Sequence, residues 1–272
     1  MRKLPVLQKT DFFKKKEKRP ILLFLDFDGT LAPIVKRPEL AKLPAAARKS
    51  LEALANQKKI RVVIISGRLL ENVKKKVGVS MLTYVGNHGL EMRGKGIRYL
   101  HPQAALEKKR LKNIVRSLRK SLRPFDGVWV EDKSYTLSIH YREASAGVEV
   151  QAQKVLLKAL GSELKSGRAV LTEGKKVWEV RPKIAWNKGA AVKWLCRYYA
   201  KTEKAAYRPV YIGDDVTDES AFQVLKGKGL TIKVTRNPLE KSSAEFYVRR
   251  PADVHALLKE FCCLTARSQA GV

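Results

Sequence analysis

Short apolar runs alternate with helical patterns along most of this chain, and that alternation limits the fold more than any other feature. The runs ILLFLDF (21–27), RVVIIS (61–66), LTYVGN (82–87) and RPVYIGDD (208–215) carry apolar side chains at successive positions. Between them lie PAAARKSLEALANQ (44–57), LLENVKKKV (69–77) and NKGAAVKWLCRYYA (187–200), each apolar at helical spacing. A strand that is apolar on both faces must be covered on both faces, and intervening helices supply that cover over a parallel sheet. The pattern predicts an α/β, Rossmann-like core.

The middle of the chain reads differently. A basic helix over 104–122 leads into GVWVEDKSYTLSIHYR (127–142), two antiparallel strands with a turn at Asp132 to Ser134. A second helix over 146–160 precedes RAVLTEGKKVWEVRP (168–182), a hairpin turning at Glu173–Gly174. Helix, hairpin, helix, hairpin is an α+β pattern. It predicts a smaller domain over 103–181, inserted into a core made of 1–102 and 182–272.

Charge raises the question of partners. The 272 residues hold 56 Lys and Arg against 26 Asp and Glu, a formal net charge of +30. Such a balance favours anionic partners: nucleic acid, anionic lipid or phosphorylated metabolites. The basic residues are dispersed over KKKEKR (14–19), KKK (74–76), EKKRLK (107–112) and RSLRK (116–120), with no zinc-finger, RNP or KH signature. Dispersal argues for a solvated basic surface and against a dedicated nucleic-acid site. KKKEKRP resembles a nuclear signal only as such runs commonly do. No apolar stretch approaches the roughly 20 residues of a membrane helix. The first twenty residues lack the apolar core of a signal peptide, so a cytoplasmic location is expected. Cys196, Cys262 and Cys263 have no zinc or redox spacing and read as ordinary thiols.

Ligands of a doubly wound sheet bind outside the carboxyl ends of its strands. The first strand ends in Asp26 and Asp28, the second in Ser66, and the last in Asp214, with Asp215 and Asp218 beyond it. Lys188 opens the helix before that last strand. Clustered carboxylates repel unless a cation sits among them, and oxygen-only ligands with room for water and phosphate suit Mg²⁺. One carboxylate can then attack phosphorus while its neighbour handles protons. The hydroxyl and the ammonium neutralise the remaining phosphoryl oxygens.

DFDGTL, IISGR, NKGAA and GDDVTDE, in this order, resemble the four motifs of the haloacid dehalogenase superfamily. The resemblance implies that Asp26 is a nucleophile forming an aspartyl-phosphate, and that Asp28 is the general acid and then the general base. It implies Mg²⁺ held by Asp26, the Asp28 backbone carbonyl and Asp214. Ser66 is implied to bind phosphate, Lys188 to steady Asp26, and Asp215 and Asp218 to support them. The insert falls between the second and third motifs, the place of a C2-type cap, which covers the site and reads the leaving group.

Within that superfamily, LDFDGTLAPI, VGNHGLE (85–91), GVWVEDKSYTLSIHYR, EVRPKIAWNKG (179–189) and GDDVTDE are similar to trehalose-6-phosphate phosphatases, over most of residues 21–220. The similarity implies hydrolysis of trehalose 6-phosphate to trehalose and phosphate, a step of trehalose biosynthesis. A disaccharide presents many hydroxyls, and a site built to bond them discriminates well. Glu131, Lys133 and Glu179 are expected as sugar contacts, although Glu131 and Lys133 could simply pair with each other. His140, Arg142 and Arg181 are expected to orient them or bind phosphate. Asn87 and His88 are expected near the substrate, Arg68 at phosphate or cap, and Trp129, Trp178, Trp186 and Trp194 in cores. The rival readings are a sucrose-, mannosylglycerate- or hexose-phosphate phosphatase, and a phosphomutase. A catalytically idle basic module for nucleic acid or membrane is another, against which the intact motif set speaks. Neither the oligomeric state nor a trehalose-phosphate synthase partner is legible.

Overall fold

In the computed structural model, residues 4–7 and 19–267 are described, and the KKKEKR run lies outside them except for Arg19. The chain forms two units, Met1–Tyr99 with Trp186–Val272, and Leu100–Ala185.

The first unit is an eight-stranded sheet with helices on both faces. In chain order its elements are β1 (Ile21–Asp26), α1 (Ala45–Ala55), β2 (Ile60–Ile65), α2 (Leu70–Val77), β3 (Thr83–Gly86), β4 (Glu91–Gly94) and β5 (Ile97–Leu100). After the second unit, whose elements are α3 (Pro102–Leu122), β6 (Trp129–Asp132), β7 (Leu137–His140), α4 (Ala146–Lys165), β8 (Ala169–Gly174) and β9 (Val177–Pro182), the chain returns. It continues through α5 (Lys188–Thr202), β10 (Arg208–Gly213), α6 (Glu219–Leu225), β11 (Leu230–Val234), β12 (Phe246–Val248) and α7 (Pro251–Arg267).

Strand order is β12-β11-β10-β1-β2-β3-β4-β5. Every pairing from β12 to β3 is parallel, and β3 pairs with β4 antiparallel. Side chains on β1 alternate between two cores, as a two-residue period requires. Leu23 and Leu25 pack with Ile64, Tyr84, Ile212 and Leu258 on one face, whereas Leu22 and Phe24 pack with Ile65, Leu195, Tyr211 and Phe222 on the other. Burying each such side chain is worth about 1.5–3 kcal/mol, which makes the central strands the rigid base of the unit.

Three features depart from the sequence expectations. β4 and β5 form a short hairpin on EMRGKGIRYL, whose four-residue strands alternate Met92 with Arg93 and Ile97 with Arg98 too briefly to stand out in the sequence. β11 and β12 extend the other edge, and α4 runs on to Lys165. The turn of the second hairpin is Lys175–Lys176, not Glu173–Gly174: Gly174 pairs with Val177, and Lys176 takes the positive φ of 61°. Glu173 is kept in the strand by the Tyr141 hydroxyl, which donates to its Oε1 at 2.6 Å.

The second unit is an antiparallel sheet in the order β6-β7-β9-β8. Val130, Leu137, Ile139, Trp178 and Val180 pack one face against Leu111, Val115 and Leu118 of α3 and Leu156 and Leu160 of α4. The first hairpin turns at Ser134, φ 67°, whose amide donates to Asp132 Oδ1 at 2.7 Å. Trp186 and Trp194 pack on a first-unit core, but Trp129 stacks on His140 at 4.0 Å instead of entering a core. No helix among the described residues is long and apolar enough to cross a membrane.

Candidate active site

β1 lies between β10 and β2, with Leu25 in register with Ile212 and Asp26 with Ile65. That register brings the carboxyl ends of three strands together. Asp26 ends β1, Ser66 follows β2, and Asp214 follows β10.

The centre is a buried charge cluster. Lys188, at the start of α5, donates from Nζ to Asp26 Oδ1 and to Asp218 Oδ1, each at 2.7 Å. Asn187 caps this helix, its side chain accepting from the Ala190 amide at 3.0 Å, which fixes where Lys188 begins. Asp218 is fully buried and saturated. Its Oδ1 also accepts from the Tyr211 hydroxyl at 2.6 Å, and its Oδ2 accepts from the Asp214 and Asp215 amides at 3.0 and 2.9 Å. Burial opposes its ionisation, but Lys188, Tyr211 and the Asp215 amide outweigh burial and hold its carboxyl below the usual range. Burial likewise opposes a charged Lys188, and Asp218 and Asp26 more than restore it.

Asp26 is left in deficit. Burial raises its carboxyl well above the ordinary range, the charges of Asp218 and Asp214 add to that, and Lys188 offsets only part. Carboxylate oxygens of Asp26, Asp214 and Asp218 lie within 4.8 Å of one another. Asp218 is committed to Lys188, Tyr211 and two amides, so Asp26 and Asp214 are the two carboxylates of the group that could hold a cation. A hard divalent cation bound by oxygen fits that donor set. Gly29 makes room for it to form: at φ 83°, a Cβ there would stand 2.1 Å from Asp214 Oδ2. Thr30 Oγ1 donates to Asp214 Oδ1 at 3.4 Å.

Asp28 is engaged by Arg68, whose Nε and Nη2 donate to its two oxygens at 2.6 and 2.7 Å. The Ser66 hydroxyl is buried beside them and accepts from the Arg68 amide at 3.1 Å. Asn87 and His88 follow β3 in the left-handed region, at φ 47° and 56°. Asn87 Nδ2 donates to Glu91 Oε1 at 2.7 Å, and the His88 ring lies against Gly67, where a Cβ would stand 2.4 Å from its Cε1. Asp215 caps the next turn, its Oδ1 accepting from the Val216 amide at 2.7 Å.

The second unit collects the remaining candidates. Register puts Glu131, His140, Glu179 and Arg181 on the sheet face opposite the helices, together with Trp129 and Ser138. Lys133 Nζ donates to Glu179 Oε1 at 3.0 Å, Ser138 Oγ to the same atom at 3.4 Å, and His140 Nε2 meets Glu131 Oε2 at 2.8 Å. Lys133 therefore pairs with Glu179, on the strand two removed, and Glu131 with His140. Arg142 Nη2 donates to the Lys175 carbonyl at 2.5 Å in the hairpin turn. Thr30, Tyr211 and Ser138 belong to these clusters and were not singled out from sequence. Thr30 lies inside the DFDGTL motif and Ser138 alternates with His140, so the motif could have flagged the first and strand period the second.

A parallel sheet with aspartates at adjacent strand ends, a lysine at the head of a late helix and an α+β insert defines a fold of the haloacid dehalogenase type. Residues 24–252 match the trehalose-phosphatase family model. The chain belongs to the trehalose-phosphatase family. It is 33% identical over 257 residues to the rice (Oryza sativa) protein named probable trehalose-phosphate phosphatase 4, covering 90% of this chain and 66% of that one. It is 34% identical over 243 residues to the trehalose-phosphate phosphatase of Mycobacterium tuberculosis, covering 85% of this chain and 59% of that one. The chain thus spans less than two thirds of the length of these relatives. The C-terminal domain of C. albicans trehalose-6-phosphate phosphatase superposes with a TM-score of 0.81 at 25% identity, over 95% of this chain and 98% of that one.

Proposed function

We propose that this chain is a Mg²⁺-dependent phosphatase that hydrolyses trehalose 6-phosphate to trehalose and inorganic phosphate. The observation that carries the reading is the buried Lys188 bridging Asp26 and Asp218 beside Asp214, with Asp28 two residues along the chain. A carboxylate paired with an ammonium and close to a second carboxylate suits attack on a phosphate ester.

In this reading an Asp26 oxygen attacks phosphorus, and the bond to the sugar oxygen breaks as Asp28 gives that oxygen a proton. Asp28 then takes a proton from water, which attacks phosphorus and frees Asp26 and phosphate. Lys188 holds Asp26 in line and, with the Ser66 hydroxyl, balances phosphoryl charge. Mg²⁺, held by Asp26, the Asp28 carbonyl and Asp214, would neutralise the rest of that charge. Arg68 donates one bond to each Asp28 oxygen, which leaves a second lone pair on each to take the proton. The unit Leu100–Ala185 supplies sugar recognition through Glu131, Lys133, His140, Glu179 and Arg181, with Arg142 beside them. Family membership supports the choice of the trehalose ester.

The test is phosphate release from trehalose, sucrose, glucose and mannose 6-phosphates, with Mg²⁺ and with EDTA, and with Asp26→Asn as the blank. Preference for the trehalose ester, lost with EDTA and in the variant, is expected. Preference for another ester overturns the sugar reading, and Asp26→Asn activity equal to the parent overturns the mechanism.

A further inference from the structure

The sheet of the first unit runs past the helical layer on its Leu23–Leu25 face. α2 packs on β3 and reaches β4, and the β4–β5 hairpin continues beyond it. A cleft of about 410 Å³ opens at that step, lined chiefly by Lys74 of α2, Ser80 and Leu82 of the α2–β3 link, Tyr84 of β3, Arg93 of β4 and Arg98 of β5.

The cleft has one sign of charge. Lys74, Arg93 and Arg98 line it, and no carboxylate does. Their side chains make no hydrogen bond or ion pair with any other described residue. Other cations of this unit are paired with acids: Arg61 with Glu203, and Lys233 with Glu219 and Glu240. The convergence here is built by the strands. Arg93 stands opposite Tyr84 in the β3–β4 register, which puts both on one face. Ile97 enters the core of the opposite face, so its neighbour Arg98 turns to the cleft side. The Tyr84 hydroxyl donates to the Val79 carbonyl at 2.6 Å, so its ring serves as wall while Ser80 supplies a hydroxyl.

We propose that this cleft is a second binding site, for a small phosphorylated organic anion. Lys74, Arg93 and Arg98 take the phosphoryl group with Ser80, since guanidinium forks match phosphate oxygens. Leu82 and the Tyr84 ring receive the organic part. The cleft is distinct from the aspartate cluster because Leu82 precedes β3, whereas the cluster gathers at the carboxyl ends, a strand length of about 13 Å away at 3.3 Å per residue.

The experiment is residue-resolved labelling of arginines with phenylglyoxal on the full chain, read by peptide mass spectrometry. Glucose 6-phosphate is the probe, EDTA prevents turnover, and sodium chloride matches ionic strength in the control. Arg93 and Arg98 are expected to label about tenfold more slowly with the probe, the factor 1 + [L]/Kd reached near ten times Kd. The exposed Arg236 and Arg249 serve as controls and are expected to label at unchanged rates. A Lys74→Ala, Arg98→Ala variant is expected to lose the protection of Arg93 while phosphate release and melting temperature stay as in the parent. Unchanged labelling of Arg93 and Arg98 overturns the proposal. So does equal slowing of all four arginines, which is surface screening alone, or persistent Arg93 protection in the variant. None of these outcomes bears on the Asp26 chemistry, which the phosphate-release assay tests separately.

Discussion

Arg68 grips Asp28 by both carboxylate oxygens, Nε to Oδ2 at 2.6 Å and Nη2 to Oδ1 at 2.7 Å. The guanidinium is itself held: Nη1 donates to Asn72 Oδ1, Nη2 also reaches the Pro38 carbonyl, and the group lies 5.4 Å over the Phe27 ring. A planar fork locked on three sides sets the plane of the carboxylate it bonds. The second aspartate of the DFDGTL motif is thus oriented by a side chain forty residues further along.

Replacing Arg68 by Lys keeps the charge and removes the fork. Turnover is expected to fall by about 10- to 100-fold, as misplaced catalytic groups do. KM for the phosphate ester should change little, because Asp28 and not the ester loses its partner. Steady-state kinetics of Arg68→Lys check this. A rise in KM at unchanged kcat would assign Arg68 to the substrate instead.

Lys188 bonds two buried aspartates of the cluster, at 2.7 Å from each. Lys188→Ala strands both charges, and breaking a buried pair typically costs about 3–5 kcal/mol. Urea unfolding of the variant at neutral pH should show a loss of that order. A loss close to zero would mean that Asp26 and Asp218 rehydrate at no cost, and that the cluster is not closed to water.

Glu91 gives a pH signature. Burial raises its carboxyl above the ordinary 4.5, and the bonds from the Leu70 amide and Asn87 offset only part of that. The folded state therefore holds the proton more tightly than the unfolded state, so stability falls as pH rises from about 4.5 through the folded value and stays lower above it. Both bonds end on Oε1, which a glutamine retains. Glu91→Gln is expected to gain stability relative to the parent between pH 4 and pH 7, as the parent loses it. Paired denaturant titrations at the two pH values check the sign.

Burial pushes the Cys196 thiol up to about 11, and Cys262 is raised by burial and by its neighbour, while Cys263 is exposed. Alkylation follows the thiolate fraction. Iodoacetamide near pH 8 should label Cys263 first and Cys196 last, the latter by about a hundredfold or more. Mass spectrometry of a time course reads the order. Early labelling of Cys196 would show that α5 opens readily.

The sequence by itself determined where the central strands run and which groups stand at their ends. ILLFLDF and YIGDD are apolar on both faces and then abruptly acidic, and both properties are local, written in consecutive residues. The hairpins of the second unit were legible for the same reason. The short β4–β5 hairpin was not, because its strands are four residues each, too brief for their alternation to stand out, and β4 is held by pairing with β3. Nor was the turn at Lys175–Lys176, which the Tyr141–Glu173 bond across the sheet selects over Glu173–Gly174. The partners within each cluster were decided only by the tertiary structure. Arg68 turning to Asp28, Lys188 to Asp218, and Lys133 to Glu179 all join residues distant in sequence. Such choices depend on strand register and on which charges burial leaves unsatisfied, and neither quantity exists until the sheet has formed.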